Sequence, residues 1–141
     1  LEFGISDLEL FWFGIWDLEF FQIREIVDLG YFWIIIDYFL KLRTKKFSLR
    51  VINLIENLPK SMTWKVIANQ LLRSATSVGA NYRSACRSRS KVEFISKIRI
   101  VEEEADESMY WLEIIKESQL IKEERISDLL KEASELTAIF T

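Results

Sequence analysis

The chain has no histidine, one cysteine (Cys86), one proline and four glycines among its 141 residues. Each scarcity closes off a class. A single cysteine forms no disulfide within the chain, so a secreted disulfide scaffold is excluded. Zinc sites draw on Cys and His ligands at close spacing, and only one such residue exists. Without histidine, Ser–His and Cys–His nucleophile pairs and the commonest general base are missing as well. Five Gly and Pro residues are too few for the many tight turns of a sandwich or barrel. The expectation is a helical protein with no catalytic residues, no metal site and no cofactor.

What is present fits one globular domain: half the residues are apolar and 29 % are charged, enough for a core and too apolar for disorder. The net charge of −3 conceals two unlike parts. Residues 1–40 carry eight acids (Glu2, Asp7, Glu9, Asp17, Glu19, Glu25, Asp28, Asp37) against Arg24 alone, a net −7; residues 41–141 carry eighteen bases and fourteen acids, a net +4. Such an asymmetry calls for separate readings.

In the first part, Phe3-Gly4-Ile5-Ser6-Asp7-Leu8-Glu9 recurs as Phe13-Gly14-Ile15-Trp16-Asp17-Leu18-Glu19, and twelve of the nineteen aromatics precede residue 41. Two ten-residue copies are too short for a solenoid, and Phe11, Trp12 and Phe13 point all around a helix, so no helical stripe is expected here. The acidic start and interrupted apolar run exclude a signal peptide. Tyr31–Leu42 is short of the roughly 20 apolar residues of a membrane span and contains Asp37. Two readings remain for residues 1–41: translated repetitive sequence upstream of the true start, which the absent initiator Met suits, or a hydrophobic extension that packs on the bundle or a partner.

Residues 42–141 read as the folded part. A first helix is expected from about Leu42 to Leu58, with Phe47, Val51, Ile55 and Leu58 on one face and Pro59 ending it. A second runs from about Trp64 to Ala85, capped by Ser61 or Thr63, with Trp64, Ile67, Leu71, Ala75, Val78 and Tyr82 as its stripe. Gly79 within it costs about 1 kcal/mol against Ala and signals close approach of a neighbouring helix. Ser90-Lys91-Val92-Glu93 is a capping box opening a third helix, with the stripe Phe94, Ile98, Val101, Ala105, Ser108, Leu112 and Ile115. After a turn at Glu117–Leu120 the fourth carries Ile126, Leu129, Leu130, Ala133, Leu136 and Phe140. Short connections force antiparallel neighbours, so the expected fold is all-α, an up-down antiparallel four-helix bundle.

Between Leu72 and Arg99 stand Arg73, Arg83, Arg87, Arg89, Lys91, Lys97 and Arg99 against Glu93 alone, a net +6. Arg83, Arg87 and Arg89 crowd the connection to the third helix, at the positive end of its dipole. Guanidinium groups there suit paired hydrogen bonds to phosphate, with Tyr82 as a stacking surface. The eight residues Arg73, Tyr82, Arg83, Arg87, Arg89, Lys91, Lys97 and Arg99 are therefore the candidate contacts to RNA or DNA. The competing reading makes the cations solvated, or partners of the acidic run Glu102–Glu107 across a subunit contact. That run lacks the histidines of a di-iron bundle and reads as a solvated or subunit-contact face. Ser74, Ser77 and Asn81 have no base to activate them, and Cys86 reads as a small packing residue.

The run Gln70-Leu71-Leu72-Arg73-Ser74-Ala75-Thr76-Ser77-Val78-Gly79-Ala80-Asn81-Tyr82-Arg83 is distinctive. With Arg89-Ser90-Lys91-Val92-Glu93-Phe94-Ile95-Ser96-Lys97, Glu102–Glu107 and Tyr110-Trp111-Leu112, it resembles the four-helix-bundle proteins encoded in intervening sequences of bacterial 23S rRNA genes. The resemblance spans roughly 45 to 140. It implies a helical bundle that forms a ring-like homopentamer, has no known enzymatic activity, and is related to nucleic-acid-binding and reverse-transcriptase-binding accessory proteins of diversity-generating retroelements; a cytoplasmic location is expected as well. Many members read Ala-Asn-Ile-Ala-Glu-Gly where this chain has Ala80-Asn81-Tyr82-Arg83-Ser84-Ala85, which makes the region more basic here and removes a carboxylate. The function expected is non-enzymatic self-assembly with nucleic-acid contact at the second-to-third-helix corner. The alternative is a protein-binding adaptor that touches no nucleic acid; neither reading places the protein in a membrane.

Overall fold

Helix formation follows the apolar periodicity and its punctuation. The computed structural model describes residues 29–119 and 121–141, with side chains from Trp33 onward. Its helices are α1 (Leu29–Glu56), α2 (Met62–Ala85), α3 (Lys91–Glu117) and α4 (Ser127–Phe140), with a 3₁₀ turn at Glu123–Arg125. The described residues contain no strand, and among them no helix is long and apolar enough to cross a membrane. The chain divides into two compact units, Leu1–Tyr38 and Phe39–Thr141. The ten-residue repeat and the readings attached to residues 1–28 lie outside the described residues.

Two boundaries depart from expectation. The first helix begins at Leu29, not near Leu42, and stops at Glu56, two residues before Leu58. No Gly or Pro interrupts residues 31–56, and a helix once nucleated propagates through apolar sequence that has no stripe of its own. Trp33, Ile34, Ile35 and Tyr38 in its opening turns are exposed. At its other end, Asn57 and Leu58 bond back to the Leu54 and Ile55 carbonyls in tighter turns before Pro59. Ser61 is the N-cap of α2, its Oγ accepting the Trp64 N–H at 3.4 Å.

In the unit Phe39–Thr141, four amphipathic faces meet. Phe47, Val51, Leu71, Val78, Val101, Leu112, Ile115, Ile126 and Leu136 are sealed from solvent, and each such side chain contributes roughly 1.5–3 kcal/mol on burial. Cross-helix bonds give the directions. Ser48 Oγ donates to the Ala75 carbonyl at 2.9 Å while Gly79 faces Thr44, so α1 and α2 run antiparallel. Ser108 Oγ donates to Ser74 Oγ at 3.0 Å, and Ser74 in turn donates to the Gln70 carbonyl at 3.1 Å. Lys97 reaches the Ser84 carbonyl, which makes α2 and α3 antiparallel too. Arg43 ties α1 to α4, its Nε and one Nη forking onto Glu132 at 2.7 and 3.1 Å and the same Nη reaching Glu135. The result is the up-down bundle.

Gly79 sits where α2 packs closely against α1. A methyl added there would lie 3.3 Å from Thr44 Oγ1 and 3.5 Å from Thr44 Cβ. Thr44 is itself fully buried and spends its hydroxyl on the Leu40 carbonyl at 2.8 Å.

Candidate nucleic-acid interface

The α2–α3 corner is built by two adjoining helix ends. α2 closes through tightening turns: the Cys86 N–H donates to the Tyr82 carbonyl, that of Arg87 to Ser84 and that of Ser88 to Ala85, at 2.9–3.1 Å. Ser90 then takes an extended conformation and its Oγ accepts the Glu93 N–H at 3.2 Å, capping α3. The reciprocal arm differs from the standard capping box. Glu93 accepts the backbone N–H of Arg89, one residue before the cap, at 2.9 Å. It also receives the Lys97 ammonium at 2.8 Å. The Lys97 hydrogen bond foremost, then the Arg89 N–H, holds the Glu93 carboxyl below its usual range. The single acid of the region is thereby spent inside the turn.

This leaves four cations. Arg83 on the last turn of α2, Arg87 and Arg89 in the turn, and Lys91 at the start of α3 are all exposed. Among the described residues, none of the four forms an ion pair. The free N–H groups of α3's first turn add positive potential. The hydroxyl of Ser88, enclosed in the turn, has no hydrogen-bond partner. The arrangement is a compact positive ridge able to present several donors to phosphate oxygens.

The other four candidates sit elsewhere or are already engaged. Lys97 is held by Glu93 and the Ser84 carbonyl. Arg73 lies more than two turns back along α2, bridging to Glu107 and, at 3.6 Å, to Glu104 on α3; the Glu107 hydrogen bond foremost raises the Arg73 pKa. Arg99 faces a shallow acidic groove lined by Glu102, Glu103, Asp106 and Thr137. Tyr82 is not a surface platform: its ring is buried, 5.3 Å from that of Phe140 and tilted by 47°. The stripe spacing that put Tyr82 in the core outweighs its nearness in sequence to arginine.

Around Arg73 lies a feature that sequence spacing does not reveal. Glu107 accepts both Arg73 and the Trp111 indole N–H at 3.1 Å. Partial burial works to raise the Glu107 carboxyl, but the Trp111 and Arg73 bonds outweigh it and leave it below the usual range. Beside it, burial pushes Glu104 up against the pull of Arg73, and one Glu104 oxygen is enclosed with no partner. Among the described residues, no cluster of His, Cys, Asp or Glu is placed to hold a metal.

Residues 40–141 of the sequence match the family described as 23S rRNA-intervening sequence protein. The chain belongs to that family. A crystal structure of a protein of unknown function from the S23 ribosomal protein family of Bacteroides thetaiotaomicron VPI-5482 is similar. It shares 33 % sequence identity and a TM-score of 0.67, covering 72 % of this chain and 94 % of that one. No curated protein matches the sequence. Membership in the 23S rRNA-intervening sequence family establishes kinship and architecture and carries no enzymatic class.

Proposed function

We propose that this member of the 23S rRNA-intervening sequence family is a non-enzymatic, self-assembling helical bundle of the cytoplasm that binds RNA through Arg83, Arg87, Arg89 and Lys91. The observation that carries the reading is that these four cations stand together, exposed and without acidic partners, while the one nearby carboxylate is neutralised by Lys97. Cations left without carboxylates are not spent on structural ion pairs and are free to meet phosphate, which supports the reading. A lone, half-buried Cys86 thiol suits a reducing compartment.

The test is a gel-shift or anisotropy titration with single-stranded RNA at 50 to 200 mM salt. Four phosphate contacts give a slope of about −3 in log K against log salt, a loss of roughly fifty-fold over that range. Replacing Arg83, Arg87 and Arg89 by Gln brings the slope toward about −1. Absence of binding at 50 mM, or an unchanged slope in the variant, overturns the assignment. One observation favours a second reading, an adaptor for a protein partner: Val92, Phe94 and Ile95 beside the corner are exposed apolar groups. A protein captured equally well by the Gln variant supports it.

A further inference from the structure

The ridge of Arg83, Arg87, Arg89 and Lys91 borders an aromatic ring that the bundle leaves largely uncovered. Phe94 opens the apolar stripe of α3. One turn on, Ile98 packs against the core, and Val101, Ala105, Leu112 and Ile115 beyond it are buried. Phe94 itself is 41 % exposed. The reason is local. With Ser90 as N-cap, Phe94 holds the fourth helical position, where an apolar residue just before the cap ordinarily covers a hydrophobic group. In this chain that residue is Arg89, whose backbone N–H is tied to Glu93 at 2.9 Å. Among the described residues, no other ring lies against Phe94.

Arg89 and Lys91 bracket the cap, and Lys91 and Phe94, three residues apart on α3, are neighbours on the helix surface. The ring is therefore set at the edge of the cations. An exposed aromatic face beside several phosphate-binding donors suits an unpaired nucleotide, whose phosphate meets the cations while its base meets the ring. A duplex has no use for the ring, because its base faces are covered by their stacked neighbours. A specific protein interface spans about 20–30 residues a side, whereas Val92, Phe94 and Ile95, the exposed apolar groups here, all lie within one turn. Tyr82, buried against Phe140, offers no such face.

We propose that Phe94 is the stacking platform of this corner: its ligand is an unpaired stretch of RNA whose phosphates follow the four cations while one base rests on the Phe94 ring. The proposal rests on the RNA reading of the proposed function and adds the strand state of the ligand and a base contact.

The experiment uses the full-length chain and single-stranded oligouridine carrying one 2-aminopurine, a base whose fluorescence falls when an aromatic ring stacks on it. Binding to wild type quenches the probe. Phe94→Leu keeps the apolar bulk, and circular dichroism checks that it keeps the helices, but it has no ring. Its affinity falls roughly five- to 150-fold, the range that loss of one base–aromatic stack gives, and the quenching disappears. Phe94→Trp restores both. The slope of log K against log salt stays at the wild-type value in both variants, because no phosphate contact is lost; the arginine variant behaves in the opposite way. An RNA duplex of equal length binds wild type and Phe94→Leu alike. RNA binding with the expected salt slope but equal affinity in Phe94→Leu, or a bound probe that stays bright on wild type, overturns the stacking platform and leaves the phosphate ridge standing. Absence of RNA binding to wild type at 50 mM salt overturns the RNA reading and the base contact with it. Should Phe94→Leu lose helicity, Phe94→Met is read in its place by the same affinity and quenching.

Discussion

Replacing Gly79 by Ala sets two effects of known size against each other. The substitution removes backbone freedom and contributes about 1 kcal/mol to α2. The added methyl would meet Thr44 Oγ1 at 3.3 Å, closer than an ordinary contact, and Thr44 has no room to yield. Its side chain is fully buried, its hydroxyl is bonded to the Leu40 carbonyl at 2.8 Å, and its own backbone carbon is only 3.6 Å from the new methyl. Relief requires α1 and α2 to move apart, and overpacking of this kind costs about 1–3 kcal/mol. Gly79→Ala is therefore expected to be destabilising by up to about 2 kcal/mol. In a Thr44→Ala background the nearest atom becomes the residue-44 Cβ at 3.5 Å, and the same substitution becomes stabilising by about 1 kcal/mol. Thr44→Ser keeps the oxygen and keeps the penalty. Urea denaturation at one fixed protomer concentration measures the cycle, since the proposed self-assembly would make apparent stability concentration-dependent. Equal stabilisation of about 1 kcal/mol by Gly79→Ala in all three backgrounds would refute the close-approach argument.

Further outcomes are expected at Glu104, Glu107 and Ser90. Glu104→Gln should stabilise the protein by less than about 1 kcal/mol at pH 7. Burial raises the Glu104 carboxyl in the folded state, so the ionised form is disfavoured there, and the gain should shrink to nothing as pH falls below the carboxylate range. Glu107 is held below its usual range, so its contribution is present at neutral pH and disappears as pH falls through its folded-state value; acid titrations of wild type and Glu104→Gln, followed by circular dichroism, separate the two. Ser90→Ala removes the Oγ that accepts the Glu93 N–H and should cost about 1 kcal/mol, seen as a lower Tm and faster amide exchange in the first turn of α3. Ser90→Asp should retain the cap.

Much of the bundle was legible because its signals are local. Pro59, the Ser61 and Ser90 caps, and the buried stripe from Val101 to Ile115 need only near neighbours to interpret, and Gly79 announced a close approach without naming Thr44. The helical start at Leu29 was not legible, since a run of aromatic and branched residues without a stripe has no periodicity to read. For the site, the Glu93–Lys97 pair lay within four residues and could be anticipated. The Arg73–Glu107 bridge and the Arg43–Glu132 fork join positions 34 and 89 residues apart, and such pairings exist only once the helices are placed. Counting charge along the chain therefore grouped Arg73 and Arg99 with a ridge they do not join. Tyr82 shows the same limit in reverse: it adjoins Arg83 in sequence, while its ring packs beside that of Phe140 in space.

The cross-helix contacts of Gly79 with Thr44, Ser48 with the Ala75 carbonyl, and Ser108 with Ser74 have a consequence for how the family can vary. Leu, Ile and Val cores tolerate sliding, because one aliphatic knob fills a neighbouring hole nearly as well. A slide of α1 by one turn would present Leu40 or Phe47 to a slot sized for Thr44, and a slide of α3 would part its hydroxyl from that of α2. The small residues thus act as a keyway that fixes the height of each helix from inside the core. The turn carrying Arg83, Arg87, Arg89 and Lys91 is then mounted on a shaft whose setting does not depend on what the turn contains. Its charges can be exchanged one by one over evolutionary time without altering where they stand on the bundle.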